Sequence, residues 1–297
     1  MKNIKYLLLA LTITLSNCEE TDIPNPDKSA ISTDFGHQNQ FDKFLKREFV
    51  APYNIEVLYK LPDVETDYAY KLVPAEYAKS VKLANLIKYL CLDAYNAIAP
   101  TSFLKKTFPK QLVFVGSPGY NSNGTILLGT AEGGLKVSLY NINSLDVNNV
   151  DQLNELFFNT IHHEFAHVLH QNIAFSTDFE QLTLSAGEEY VGGSWSTADG
   201  YPSDLAALQA GFITRYASKS ESEDFVELIS HYILAKEADW ATTLTTAGTT
   251  GAGIINSKMI IVKSYLKDSW EIDIDVLRAE IQNRYDNLSS QDLDNIN

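Results

Sequence analysis

Two cysteines in 297 residues are too few for a disulfide framework. Positive charge is also scarce: 23 Lys and Arg stand against 38 Asp and Glu, a net charge of −15. Neutralising phosphates requires clustered basic side chains, and none are clustered here, which excludes nucleic acid as a partner. Long apolar runs are missing too. The run Tyr6 to Leu15 is well short of the roughly 20 residues that a bilayer-spanning helix needs. No internal repeat is visible. What remains is a 45% hydrophobic share, enough for a substantial core in one large domain or two small ones.

The start of the chain has its own pattern. Met1-Lys2-Asn3-Ile4-Lys5 is basic and precedes the apolar run, as in a signal peptide, here spanning 1–17. Its end, Leu15-Ser16-Asn17-Cys18, resembles the lipobox of bacterial lipoproteins, which implies that Cys18 is acylated and becomes the new N-terminus. An ordinary signal peptide with an incidental cysteine is the other reading. Residues 18–34, with Glu19, Glu20, Asp22, Pro24 and Pro26, read as an acidic, extended tether. The acidic start resembles lipoproteins of Bacteroidetes-type bacteria. That resemblance implies an exported protein at the outer membrane, periplasmic or cell-surface facing, held to the membrane by its lipid. Cys91 then has no partner and reads as a small core residue.

Residues 35–297 read as one α+β domain, with a sheet-containing part over 35–172 and a mainly helical part over 173–297. Apolar spacing predicts helices over Phe41 to Phe49 and Tyr77 to Ala97, the second stopped by Pro100. Gln111 to Val115 predicts a short buried strand, and 116–124 is turn material. Leu135 to Tyr140 alternates with period two and predicts a half-exposed strand. Further helices are expected over Asp151 to Asn172, Ser203 to Ala217, Glu221 to Lys236, Asn256 to Trp270 and Asp275 to Tyr285. The connection Ile173 to Pro202 is long enough to suggest that it flanks a cleft.

Four of the six histidines fall within nine residues, 162–170. His163-Glu164-Phe165-Ala166-His167 is an H-E-x-x-H match. Residues four apart on a helix lie about 40° from each other around the axis, so His163 and His167 can meet one ion. Phe157, Phe158, Ile161, Phe165, Val168 and Leu169 fall on the opposite face, and they pack while the histidines face outward. The pattern predicts one bound zinc, with Glu164 as general base toward its water. Satisfied surface or core histidines are the plain alternative.

A catalytic zinc needs a third protein ligand. His170 stands about 10.5 Å along the axis from His163, too far to join one ion, and reads as an outer partner or a surface residue. The metzincin pattern H-E-x-x-H-x-x-G-x-x-H is excluded, because its glycine and last histidine fall on His170 and Ile173. Glu188 and Glu189 could reach the metal from the long connection. Glu223 opens an amphipathic helix and shares a face with Glu227, which could orient a ligand histidine. Ser220-x-x-Glu223 also reads as a helix capping box, so ligand and cap both stay open.

His163-Glu164-Phe165-Ala166-His167 followed by Arg215-Tyr216-Ala217 and Glu223-Asp224-Phe225-Val226-Glu227 resembles the gluzincin class of zincins. The resemblance is to zinc metallopeptidase lipoproteins that accompany nutrient-import systems of Bacteroidetes, and more distantly to the anthrax lethal factor catalytic domain. It covers about residues 155–235. It implies a zincin-like fold, Glu223 as third ligand, a peptide or protein substrate and nutrient-import components as partners. It also implies a transition-state role for Tyr216, seven residues before Glu223; a core aromatic is the other reading of that tyrosine. The strand near Leu135 to Tyr140 is expected to be the edge that aligns a peptide. A non-catalytic zinc-containing binding lipoprotein and a zinc hydrolase of non-peptide amides are the competing functional readings.

Overall fold

Alternation of short apolar strands with amphipathic helices gives a small sheet backed by helices, as seen in a computed structural model. It describes residues 38–65, 70–120, 126–127, 129–132 and 134–297. The expected leader, Cys18 and the tether lie outside the described residues. Gln40–Asn297 forms one compact unit. Among the described residues no helix is long and apolar enough to cross a membrane.

Helix α1 (Gln40–Leu45) runs on through Lys46–Val50 and Ala51–Tyr53. Helix α2 (Tyr77–Leu86) continues through Ile87–Leu92 and Asp93–Ile98, and stops where Ala99 turns extended ahead of Pro100. Helix α3 is Phe103–Thr107. Cys91 is fully buried in this layer, and burial holds its thiol well above the ordinary range.

The main sheet has the order β1 (Glu56–Leu58), β2 (Gln111–Phe114), β6 (Lys136–Leu139), β5 (Gly129–Glu132). The first three are parallel, with Val57, Leu112 and Val137 in register, and β5 is antiparallel to β6. β3 (Gly119–Tyr120) and β4 (Ile126–Leu127) form a separate antiparallel pair. This corrects the reading of 135–140 as a half-exposed edge strand. β6 lies inside the sheet, with Val137, Ser138 and Leu139 all buried. Its period-two pattern misleads because Lys136 is satisfied by Glu65 at 2.8 Å and Ser138 is small enough to bury. The edge beside it is β5.

The helical part begins with α4, Val150–Leu153 continuing through Asn154–Phe158 and Asn159–Asn172, with the Asn149 side chain capping its start. Phe157, Phe158, Ile161 and Phe165 are fully buried. The connection after it is not all loop: it contains α5 (Asp178–Ser185) and the tight turn Gly192–Ser196. Helix α6 covers only Asp204–Gln209 of the expected 203–217. Gly211 ends it at φ +92, where a Cβ would meet Ile254 at 2.6 Å.

Helix α7 (Glu221–Leu234) packs along α4. Helix α8 (Glu237–Trp270) starts far ahead of the expected Asn256 and kinks at Gly248 (φ 70, ψ −179). The hydroxyls of Thr242, Thr243, Thr245 and Thr246 bond the carbonyls four residues back, a pattern that slightly weakens a helix, and burial of Trp240 and Ala247 holds the segment in place. Helix α9 (Ile274–Asp286), capped by Asp273, satisfies the end of α7: Arg278 donates to Ala235 O, and Gln282 donates to Ile233 O and Leu234 O.

Candidate metal centre

Two helices build the site. α4 contributes His163 and His167 from one face, and α7 contributes Glu223 and Glu227 from its first two turns. Glu223 Oε2 lies 3.2 Å from His163 Nε2 and 3.2 Å from His167 Nε2. One potential ligand atom from each of these three residues lies within 4.8 Å of the other two. Ligand atoms about 2 Å from a tetrahedral zinc stand about 3.3 Å apart. The donor set and both Glu223-to-imidazole distances fit that ion.

Each imidazole is braced on its other nitrogen. His163 Nδ1 lies 2.7 Å from Glu227 Oε1, and His167 Nδ1 lies 2.8 Å from His170 Nε2. With Nδ1–H donating in both, Nε2 is the nitrogen of each ring left to face a metal. Glu227 is held in turn by Thr214, whose hydroxyl donates to Oε2 at 2.6 Å. Burial opposes charge on Glu227, but His163 and His231 outweigh it and hold its carboxyl well below the usual range. Burial likewise opposes charge on His163, yet hydrogen bonds to Glu223 and Glu227 lift its pKa to about 10. His170 is pushed down to about 4 by burial and by His167. It is neutral at pH 7 and able to accept.

Glu223 serves two ends at once. Its backbone N–H donates to Ser220 Oγ at 3.3 Å, which is the cap, while its carboxylate faces the histidines. Its other oxygen, Oε1, accepts from Tyr216 OH at 2.9 Å and Lys219 Nζ at 2.8 Å. Burial raises its carboxyl, but His163, His167 and Lys219 outweigh that and keep it ionised. Tyr216 is therefore at the site and not in the core. Its ring meets Trp195, centroids 4.9 Å apart, so the connection 173–202 does border the site. Burial pushes the Tyr216 phenol up to about 12, against the pull of Lys219.

Glu164 is half-buried between the two histidines in sequence, and its carboxylate has no hydrogen-bond partner among the described residues. Burial raises its pKa, against the pull of His163 and His167. His162 points the other way, into the core, where Nδ1 meets Tyr95 OH at 3.2 Å. Glu188 accepts from Tyr201 OH at 2.9 Å and is not in the cluster.

Sequence reasoning missed four contributors: Lys219, Thr214, Asp224 and Lys258. Asp224, next to Glu223, is buried against Lys258 Nζ at 2.6 Å. Lys219 stands four residues before Glu223, a spacing that could have raised it. Nothing local in the sequence signals Lys258.

A family model described as "Putative zinc-binding metallo-peptidase" matches residues 35–275. The chain is also similar to a crystal structure described as a "putative zinc-binding metallo-peptidase" from Bacteroides caccae, at 39% identity and a TM-score of 0.76. That match covers 87% of this chain and 96% of the other. No curated protein matches the chain.

Proposed function

The chain belongs to the zinc-binding metallo-peptidase family that matches residues 35–275, and from that membership and the site geometry we propose that it is a peptidase using one zinc ion held by His163, His167 and Glu223. The convergence of the two Nε2 atoms on Glu223 Oε2 carries the reading. Zinc bound there would supply a water of lowered pKa and a Lewis acid for the substrate carbonyl.

The rest of the work falls to side chains. Glu164 is next to a ligand but rotated about 100° from it on the helix, so its carboxylate takes the water proton without capturing the metal, and passes that proton to the leaving nitrogen. Tyr216 turns its hydroxyl from Glu223 Oε1 toward the developing oxyanion. Glu227 and His170 hold the imidazoles in the ligating tautomer.

Metal analysis of the purified protein beside a broad peptide-library cleavage screen tests the proposal. The wild type is expected to hold one zinc per chain. Glu223→Ala is expected to lose affinity by more than the roughly 10–100-fold that removing an outer partner costs. Unchanged zinc binding in Glu223→Ala removes that residue from the ligand set.

His163, with its pKa at about 10, is protonated at pH 7 without metal, but it must be neutral to ligate. Zinc uptake at pH 7 should therefore release about one proton from this group, and apparent affinity should weaken as pH falls. Calorimetry in two buffers of different ionisation heat reads the number; a value of zero means that His163 is already neutral in the metal-free protein.

A further inference from the structure

Glu223 divides its carboxylate. Oε2 faces the two imidazoles, while Oε1 accepts from Tyr216 OH at 2.9 Å and from Lys219 Nζ at 2.8 Å. The same Nζ donates to the Tyr216 oxygen at 2.9 Å and lies 4.8 Å from the centre of its ring. The three groups close a triangle. The backbone fixes it: Lys219 ends the tight turn Tyr216–Lys219, and the next residue, Ser220, caps α7 through the Glu223 N–H.

The Lys219 side chain is 39% exposed and that of Glu223 11% exposed. An ion pair with one partner that open adds little to stability. Its position matters more, because a carboxylate can bind a metal through one oxygen or both. A catalytic zinc keeps three protein ligands and leaves a position for water. Binding through both oxygens of Glu223 would fill it.

Tyr216 cannot guard against this alone. The hydroxyl proton it gives to Glu223 Oε1 is the one it would give to the substrate, and while it does so Oε1 loses that bond. The Lys219 ammonium has three protons, so it can hold Glu223 Oε1 and the Tyr216 oxygen together.

Resting on the zinc reading above, we propose that Lys219 is a positioning residue that keeps Glu223 a one-oxygen ligand and so keeps the remaining coordination position open. The test uses the full-length protein loaded with cobalt(II) in place of zinc, as wild type, Lys219→Met and Lys219→Arg. Visible absorption reports coordination number, and titration with acetohydroxamate, which chelates through two oxygens, reports open positions.

Lys219→Met is expected to take up one cobalt, to absorb more weakly as the coordination number rises, and to bind acetohydroxamate at least about tenfold more weakly. Lys219→Arg, which keeps a cationic donor, is expected to restore both signals. A Lys219→Met protein with wild-type absorption and hydroxamate affinity overturns the proposal. So does one that fails to take up cobalt, because Lys219 would then be needed for binding and not for its mode. A wild type that takes up no cobalt overturns this proposal together with the metal reading; the other outcomes leave that reading standing.

Discussion

Lys258→Met is expected to destabilise the protein by about 3–5 kcal/mol, the usual effect of removing one partner from a buried ion pair. The Lys258 and Asp224 side chains are 0% and 1% exposed, with Nζ 2.6 Å from Asp224 Oδ2. The ammonium also donates to Gly211 O at 2.9 Å and sits 4.5 Å from the Phe212 ring centre. Tyr190 OH donates to the same carboxylate at 2.9 Å. Burial pushes the Asp224 carboxyl up, and Lys258 and Tyr190 hold part of that rise back. With methionine at 258, Asp224 must either stay charged without its cation or take up a proton. Urea unfolding of metal-free protein measures the effect. A loss below about 1 kcal/mol would mean that water or another group replaces the ammonium. The double change Asp224→Leu with Lys258→Met is expected to recover much of the loss, since apolar pairs often replace buried ion pairs without penalty.

Glu164→Gln is expected to lower kcat/KM by about 10²–10⁴-fold, the range general acid–base groups contribute, with zinc content unchanged. The amide keeps the shape of the carboxylate but cannot accept the water proton. Burial already raises the Glu164 pKa, moving it toward the neutral range where a base both accepts and returns a proton. Peptide turnover by wild type and variant at matched metal loading makes the comparison. Activity within tenfold of wild type would remove Glu164 from the proton-transfer step and leave the metal assignment in place. Lost zinc in the variant would instead point to a ligand role.

Local pattern carried the helix signals that packing did not have to decide. The amphipathic face of α4, the Asn149 and Ser220 caps and the stop at Pro100 are all written within a few residues of where they act. Pattern failed where a distant group changed the meaning of a residue. Lys136 and Ser138 look solvent-facing until Glu65 pairs with the first and packing buries the second. The threonines of α8 look like loop until burial of Trp240 and Ala247 anchors their segment to the core. Gly211 looks unremarkable in a helical stretch until Ile254 closes on it.

The site divides the same way. The sequence by itself determined that His163 and His167 share one helix face with Glu164 between them, because the geometry of one helix fixes residues four apart. It left Glu223 open between cap and ligand, since one spacing serves both. Only the tertiary structure decided that its backbone caps α7 while its carboxylate turns to the imidazoles. That outcome depends on α7 lying along α4, and on Lys258, Thr214 and Lys219 holding the carboxylates from separate parts of the chain. Contacts between residues this far apart are set by how the whole core packs, and no local spacing encodes them.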